Sequence, residues 1–273
     1  MTPAGRRARI ALLAAVALAA GVIALLAPPV RQDLTYHDFA DHRVVLGLPH
    51  GLNVLSNVGF LVAGAWTLAR AGRAALPGWE RVAGIVFGVG LLLTGLGSAW
   101  YHTAPSNVSL VWDRLPLSAL FPTVFAVVIG DRVSVAAGRA LLAPLALGAV
   151  ASVLWWQATD DLRAYALAQF LPMLLIPLML ILLPGRRPAV PLVWGLALYA
   201  IGKLTEVTDK ALFALGGLVS GHTLKHLLAA AAATMIGCWL IPSGADGPKA
   251  NGASARRGRS DPSVPAPRPR VQA

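Results

Sequence analysis

The sequence predicts an all-α integral membrane protein, because it is strongly apolar, its apolar residues cluster in eight segments, and its basic residues lie between those segments. Of the 273 residues, 56% are hydrophobic and 13% are charged, with a mean hydropathy of +0.66. Soluble domains of this length are much more polar. The net charge of +11 is spread between apolar segments and along the C-terminal tail, so we expect a lipid bilayer and no nucleic acid as partner.

The eight apolar segments are predicted to be transmembrane helices. A helix of about 20 residues crosses the ~30 Å hydrocarbon core of a bilayer, and somewhat shorter segments also occur. The fourth and seventh segments are the shortest. The predicted spans cover residues 10–28, 51–68, 82–101, 115–130, 140–156, 165–183, 191–204 and 221–241.

The first span follows a cluster of three arginines and is typical of either a retained membrane anchor or a secretory signal peptide. No clear cleavage site of small residues precedes Pro28 and Pro29. We therefore expect residues 1–30 to form a basic cytoplasmic N-terminus and a retained helix. Cleavage would leave the topology of the other spans unchanged.

The second and third spans carry polar residues that are unusual in membrane helices. Asn53, Ser56 and Asn57 share one face of the second span, which favours hydrogen bonds between helices. Ser98 lies one turn before His102 at the end of the third span, so both side chains project from the same face. Glycines share this span, and close packing of small residues is the alternative role for Ser98.

Asp113 follows the third span after a short loop, where the fourth span is predicted to start. A carboxylate interacts favourably with the N-terminal end of a helix dipole, so capping of the fourth helix is one interpretation of Asp113. Proton transfer in a functional site is the other.

The fourth to sixth spans contain internal prolines, which membrane helices tolerate better than soluble ones. Tryptophans near predicted helix ends are expected to lie at the membrane interfaces, and they are Trp100, Trp112, Trp155 and Trp156. A charged group at the end of the seventh span has ion-pair spacing, which favours structural pairing over a role in binding a lipid headgroup. This group consists of Lys203, Glu206, Asp209 and Lys210.

The eighth span begins with the stretch GHTLKH. His222 and His226 are four residues apart, so a helix places both imidazoles on one face, where they can bind a metal ion such as zinc. Thr223 stands where an HExxH motif has its glutamate, so no catalytic base is built in. The alternative is a pair of interfacial histidines hydrogen-bonded to neighbouring helices, with Lys225 as an interfacial anchor.

The distribution of basic residues predicts that both chain ends lie in the cytoplasm. With the N-terminus inside, 16 of the 23 lysines and arginines fall on the inner side, as the positive-inside rule requires. Residues 243–273 are rich in Pro, Gly, Ser, Ala and Arg and are predicted to be a disordered, basic cytoplasmic tail.

This topology places every histidine at the outer side, together with Ser98 and Asp113. Three histidines and a water molecule form a typical catalytic zinc site, and a neighbouring carboxylate and hydroxyl suit hydrolysis. Haem ligation by histidines is a weaker alternative, which has no need of Ser98 and Asp113. The six histidines are His37, His42, His50, His102, His222 and His226.

Four segments of the chain together resemble the alkaline ceramidase family, within the wider CREST group of membrane hydrolases that includes the adiponectin receptors. They are YHDFADHR, LNVLSNVGFLVAG, GSAWYHTAPSNVSLVWDRLP and SGHTLKH, in the order of the family. Members of that family have seven helices, with the N-terminus outside and the C-terminus inside. The resemblance therefore implies a seven-helix domain over residues 31–242, preceded by one extra transmembrane helix.

The resemblance also implies a chemistry. His102, His222 and His226 would bind Zn²⁺, Asp113 would transfer the proton of the attacking water, and Ser98 would stabilise the oxyanion. The implied reaction is hydrolysis of the amide bond of a ceramide, which yields a sphingoid base and a fatty acid.

A calcium site is implied only in part. Eukaryotic alkaline ceramidases bind a regulatory calcium through acidic residues before their first family helix. Asp38, Asp41 and Asn53 offer oxygen ligands here, but His50 stands where a glutamate is expected. Calcium takes six to eight oxygens, and the sequence supplies too few of them.

The sequence thus predicts a zinc-dependent amidase for a ceramide-like membrane lipid. Short loops and the Ala- and Arg-rich composition favour a bacterial inner membrane, with the site facing the periplasm. The alternatives are a related hydrolase of another lipid amide or ester, and a receptor or structural protein in which the metal only braces helices. The sequence does not indicate an oligomeric state.

Overall fold

A computed structural model describes residues 1–242, and it confirms the all-α membrane fold. The predicted disordered tail, residues 243–273, lies outside the described residues. Within the described part, eight helices are long and apolar enough to cross a membrane. The helices are α1 (Pro3–Leu26), α2 (Gly51–Leu55), α3 (Val58–Arg73), α4 (Gly78–Thr103), α5 (Asn107–Arg132), α6 (Val135–Thr159), α7 (Arg163–Leu182), α8 (Val190–Val207), α9 (Asp209–Ala214) and α10 (Gly221–Leu240).

The second span consists of two helices, α2 and α3, separated by a turn at Ser56 and Asn57. The Asn57 side chain donates a hydrogen bond of 2.8 Å to the carbonyl oxygen of Asn53. That bond lies within α2 and its turn rather than between helices. The turn directs Ser56 towards α10, as described below.

The fourth span begins earlier than its apolar segment indicates. Ser106 caps α5 through a capping box, in which the Ser106 and Ser109 side chains each accept a hydrogen bond from the other residue's backbone N–H. Asp113 is therefore inside α5, two turns from its start, and the interpretation of Asp113 as a helix cap is wrong.

The transmembrane helices form a bundle around α5, the most deeply buried helix. α5 packs between α4 and α6, α4 packs against α3, and α10 packs against α8 and α3. α7 contacts α5 and α6, while α1 lies outside this arrangement, against α7. α1 is nearly unburied along its length, as expected for a helix that faces lipid.

Arginines at one end of the bundle satisfy carbonyl groups at helix C-termini, which have no partners within their own helices. Arg6 donates to the Val133 carbonyl oxygen (2.6 Å), and Arg9 donates to that of Leu182 (2.7 Å). Arg187 forms an ion pair with Glu80 on the same end. Arg6, Arg9 and Arg187, which were assigned to the inner side, thus lie at one end of the molecule.

The opposite end is crossed by residues 27–50, which include a short 3₁₀ helix, Leu34–His37. The first part of residues 27–50 is held by Arg163 of α7. This side chain donates hydrogen bonds to the carbonyl oxygen of Ala27 and to that of Leu25 in the last turn of α1. The second part is held by Arg43, which donates to the carbonyl oxygens of Gly217 and Leu218. We call residues 27–50 the outer strap.

The tryptophans follow the sequence prediction with one exception. Trp100, Trp112 and Trp155 are exposed on the helix surface, where interfacial residues belong. Trp156 is 2% exposed and packs inside the bundle against Arg114. Its predicted role as an interfacial anchor is therefore wrong.

Candidate metal centre

Three of the six histidines converge between the end of α4 and the start of α10. The ring centroids of His102, His222 and His226 lie 4.8–4.9 Å apart, and each ring is at most 3% exposed. One nitrogen from each ring can be chosen so that all three lie within 4.8 Å of one another. Among residues 1–242 this is the one group of at least three His, Cys, Asp or Glu side chains so placed.

The nitrogen spacing fits a metal ion. The Nε2 atoms of His102 and His222 lie 3.2 Å apart. Two nitrogens bound to a tetrahedral zinc at about 2.0–2.1 Å would lie about 3.3 Å apart. The two nitrogens therefore lie at nearly the spacing that a shared cation requires.

The hydrogen bonds of His226 fix which nitrogen is available to a metal. Its Nδ1 lies 3.2 Å from the carbonyl oxygen of Asn53 and 2.8 Å from Ser56 Oγ. Ser56 Oγ itself donates to the same carbonyl, so Nδ1 carries the proton and donates. Nε2 then keeps its lone pair for a metal ion, as is usual for histidine ligands.

Asp209 positions His222 and the outer strap together. One carboxylate oxygen accepts a hydrogen bond from the backbone N–H of His222 (2.7 Å), and the other accepts one from Ala40 in the strap (2.8 Å). Ser220 caps α10 by accepting a hydrogen bond from Thr223 N–H. The start of the GHTLKH stretch is therefore fixed from two sides.

Phe39 of the outer strap covers the histidine cluster. Its ring centroid lies 4.6 Å from that of His102 and 4.4 Å from that of His222, and Phe39 is 4% exposed. The strap thereby covers the rings of His102 and His222.

The other three histidines lie in the outer strap and outside the cluster. The two ring nitrogens of His37 contact the Tyr101 hydroxyl and the Asn107 side-chain oxygen. The Nδ1 of His50 donates to the Asp41 carbonyl oxygen, and His42 is exposed beside Asp38. All six thus lie towards one end of the molecule, as predicted, but only three form the cluster.

Ser98 and Asp113 lie on the facing helices α4 and α5 and line the same cavity as His226. Ser98 is 3% exposed and lies one turn before His102 on α4. The helices approach closely at Gly97, where a Cβ atom would lie 2.1 Å from the Trp112 carbonyl oxygen. The expectation of close glycine packing in this span is confirmed, and it is what brings Ser98 to Asp113.

A cavity of about 380 Å³ extends from this site into the bundle. Ser98, Asp113 and His226 line one part of it, whereas His102 and His222 do not line it. The remainder is mostly apolar, with side chains that include Phe87, Leu91, Leu120, Met173, Ile176 and Ile236. Its volume is in the range of small-molecule sites, and its apolar part suits a hydrocarbon chain.

The charged group near the end of α8 forms ion pairs, but not all within itself. Glu206 pairs with Lys203 and, at 2.7 Å, with Lys225 of the GHTLKH stretch. Lys225 is thus a cavity residue paired with Glu206, which corrects its interpretation as an interfacial anchor. Lys210 instead pairs with Asp38 of the outer strap at 2.6 Å.

Each of the three candidate calcium ligands is hydrogen-bonded to another side chain. Asp41 accepts two hydrogen bonds from the Arg43 side chain, and this arginine lowers the pKa of the Asp41 carboxyl. The hydrogen bond from Lys210 likewise lowers the pKa of Asp38. The side-chain oxygen of Asn53 accepts a hydrogen bond of 2.7 Å from Thr223, which confirms helix–helix hydrogen bonding. Each oxygen group therefore has another partner, and the structure does not support a calcium site formed by these residues.

Comparisons with known proteins do not identify a family. No family model matches the chain, and no match was found among curated proteins or among solved structures. The resemblance to the alkaline ceramidases therefore stays a prediction from the motifs.

Sequence reasoning missed several residues of the site. The strap residues Phe39 and Gln32 gave no recognisable signal, because their contacts join segments distant in the chain. Asp209 was noted only as a member of a charged group. Its proximity to Gly221 follows from tertiary packing, since a Cβ atom on Gly221 would lie 2.7 Å from the Asp209 Cα.

Proposed function

We propose that this protein is a zinc-dependent amidase that hydrolyses ceramide or a ceramide-like membrane lipid. The observation that carries the proposal is the buried three-histidine cluster, whose His226 lines a mostly apolar cavity together with Ser98 and Asp113. A metal ligand set, a proton carrier, a hydroxyl donor and space for a hydrocarbon chain are thereby adjacent.

Zinc is the metal that best suits the ligand set. Three neutral imidazole nitrogens match its borderline character and its four-coordinate preference, with one position left for substrate or water. A zinc ion, when bound, supplies Lewis-acid chemistry and makes water acidic enough to ionise near neutral pH. Ser56 and the Asn53 carbonyl orient the His226 ring for this task.

Asp113 and Ser98 have distinct roles in the proposed reaction. Asp113 accepts a proton from the attacking water while the water oxygen adds to the amide carbonyl carbon. Asp113 then returns that proton to the leaving nitrogen. The C–N bond then breaks to give a fatty acid and an amine. The Ser98 hydroxyl donates a hydrogen bond to the carbonyl oxygen as negative charge develops there.

The apolar part of the cavity supports a lipid as substrate. Leu91, Leu120, Met173 and Ile176 surround a space that continues from Ser98 and Asp113 into the bundle. A long acyl chain in this space would place its amide beside Asp113 and His226. Burial of each CH₂ group contributes about 0.8 kcal/mol, so the chain itself supplies much of the binding free energy.

The test of the proposal measures metal content and hydrolysis on the same preparations. Full-length protein purified in detergent is expected to hold about one zinc ion per chain and to release fatty acid from ceramide, as read by mass spectrometry. His226→Ala is expected to lose the metal and the activity. Asp113→Asn is expected to keep the metal while its rate falls by about 10²–10⁴, the usual contribution of general acid–base catalysis.

Matched controls separate these effects from general damage. His42→Ala removes an exposed histidine outside the cluster, and Asp38→Asn removes an exposed carboxylate outside the cavity. Both should keep the zinc and the rate. Full zinc in His226→Ala would refute the ligand assignment, and an unchanged rate in Asp113→Asn would refute the proton-transfer role.

One observation favours a structural metal as the second candidate. Phe39 covers the cluster, and only His226 of the three histidines lines the cavity. Bound zinc without hydrolysis of ceramide or of any other lipid amide or ester would favour this role. Hydrolysis of a different lipid amide or ester, with ceramide left intact, would retain the chemistry and change the substrate.

A further inference from the structure

Arg114 has an unusual environment for a charged residue. It is 6% exposed and lines the cavity, one residue after Asp113 on α5. The guanidinium carbon lies 4.2 Å from the centroid of the Trp156 ring, 4.8 Å from that of Tyr165 and 5.5 Å from that of Tyr36. Three aromatic rings therefore fix the guanidinium group in position.

This buried charge has no ion-pair partner among residues 1–242. Arg114 has one hydrogen-bond partner in this part of the chain, the neutral side-chain oxygen of Gln32, 2.7 Å from Nη2. Its Nη1 is buried and has no hydrogen-bond partner. Buried charges are ordinarily paired and buried donors satisfied, so the site lacks an anionic acceptor.

The other charged side chains that line the cavity do not supply an anionic acceptor for Arg114. Its lining contains four cationic side chains, Arg31, Arg114, Lys203 and Lys225, against three carboxylates, Asp33, Asp113 and Glu206. Glu206 is shared by the two lysines, and neither Asp33 nor Asp113 forms an ion pair with Arg114. The cavity as a whole therefore has an excess of positive charge, and Arg114 is its buried unpaired member.

We infer that Arg114 forms an anion-binding subsite of the cavity, and that the lipid amide taken by the protein carries a phosphate, sulfonate or carboxylate headgroup. The planar guanidinium is the side chain best suited to such groups, because its N–H donors match two oxygens of one oxyanion. The identification of the ligand as a lipid amide rests on the proposed function, whereas the anion site itself does not depend on it.

A purely structural role for Arg114 and a role in anion binding predict different results in binding measurements. Its aromatic contacts join α5, α6 and α7 to the outer strap, so it also braces the bundle. A brace changes stability without regard to the ligand. A subsite changes the preference between two ligands that differ only in headgroup charge, and that preference is the decisive measurement.

The experiment measures binding in the absence of turnover. Full-length Asp113→Asn protein in detergent micelles is titrated with a fluorescent short-chain ceramide and with the same ceramide bearing a phosphate monoester. The phosphorylated lipid is expected to bind at least about tenfold more tightly, which corresponds to about 1.4 kcal/mol. Equal affinity for the two lipids would overturn the inference.

Two variants, made on the same Asp113→Asn background, assign the preference to Arg114. Arg114→Gln removes the cation. Gln32→Glu keeps Arg114 but gives it a carboxylate in place of its neutral hydrogen-bond partner. Each variant should reduce the preference for the phosphorylated lipid to near unity. Gln32→Glu keeps the test decisive if Arg114→Gln fails to fold. Arg81→Gln, at the opposite end of the molecule from the outer strap, is the control that should retain the preference. A full preference in a folded Arg114→Gln or Gln32→Glu protein would refute the assignment.

Inorganic phosphate distinguishes a lipid headgroup from a free anion. Failure of millimolar phosphate to displace the phosphorylated lipid supports recognition of the headgroup as part of the lipid. Displacement by phosphate supports an anion subsite that also takes a soluble anion. Because binding is measured without hydrolysis, a failure of the amidase proposal would leave this result intact, and loss of headgroup preference would leave the amidase proposal intact.

Discussion

The hydrogen bonds of His226 show how a membrane helix can hold a metal ligand in one tautomer. Ser56 and the Asn53 carbonyl both lie at Nδ1, so the proton is fixed there and Nε2 is left as a ligand atom. Residues of this kind, behind the ligands themselves, typically change metal affinity by 10–100-fold.

Ser56→Ala is therefore expected to weaken zinc binding by about tenfold, at the lower end of that range, because the Asn53 carbonyl still accepts the Nδ1 proton. Competition with a fluorescent zinc chelator measures the affinity. Ser118→Ala is the matched control, since this buried serine bonds only the Leu115 carbonyl of its own helix. An unchanged affinity in Ser56→Ala would show that Ser56 does not orient the ligand.

At the scale of single elements, α10 depends on its close approach to α8. A Cβ atom on Gly221 would lie 2.1 Å from the Thr205 carbonyl oxygen. No rotation of a side chain relieves that contact, because its partner is backbone. Gly221 therefore sets the position of the first turn of α10, which carries His222.

Gly221→Ala is expected to push this turn away from α8, to destabilise the protein by about 1–3 kcal/mol as overpacking usually does, and to reduce bound zinc. Thermal unfolding in detergent and metal analysis give the two readouts. Gly216→Ala places its methyl group in open space and should match the unsubstituted protein. Normal zinc content in Gly221→Ala would contradict the proposed dependence of the site on this contact.

The loop between α6 and α7 holds the strap through a charged pair. Asp161 accepts hydrogen bonds from the Arg163 side chain, and Arg163 also donates to the carbonyl oxygens of Leu25 and Ala27 at the end of α1. The hydrogen bond from Arg163 lowers the pKa of Asp161 to about 2, from an ordinary value of 3.8. The ionised carboxylate is thus the form that the folded protein favours.

This pair should stabilise the protein fully above pH 4 and lose its effect as the pH falls towards 2, because protonation then removes the acceptor. Asp161→Asn is expected to have a lower unfolding temperature than the unsubstituted protein at pH 7, with a difference that shrinks below pH 4. Thermal unfolding across a pH series measures this difference. A difference that stays constant down to pH 2.5 would exclude ionisation of Asp161 as its cause.

At the scale of the whole molecule, the arginines that bind helix C-termini and the histidine cluster lie at opposite ends of the bundle. The arginine contacts to helix C-termini occupy one end, whereas the outer strap, Phe39 and the histidine cluster occupy the other. With the arginine end in the cytoplasm, the site faces outward, to the periplasm in a bacterial inner membrane. The eight helices establish a multi-pass membrane protein, while the direction of insertion is a prediction.

Cysteine labelling in intact cells tests that direction. Cys238 is first replaced by serine, and single cysteines are then introduced at Leu215 on the strap end or at Ala75 on the arginine end, both exposed positions. A membrane-impermeant maleimide should label Leu215→Cys in intact cells and Ala75→Cys only after lysis, because the positive-inside rule places Ala75 in the cytoplasm. The reverse pattern would invert the topology.

Local composition was sufficient for most of the fold. The spans were recognisable because a bilayer demands long apolar helices whatever their neighbours are. Their ends were less accurate: α5 begins at Asn107 because Ser106 and Ser109 form a capping box, which apolarity does not report. That difference moved Asp113 from a helix terminus to the interior of α5.

The sequence by itself determined the helical membrane class, the one-sided arrangement of histidines and the pairing of His222 with His226, because each follows from composition or from helical spacing. Tertiary structure decided the rest. It brought His102 to within 3.2 Å of His222, turned Lys225 to Glu206 and enclosed Arg114 among three rings. These contacts join residues far apart in the chain, and only the packing of helices at positions such as Gly97 and Gly221 sets their distances.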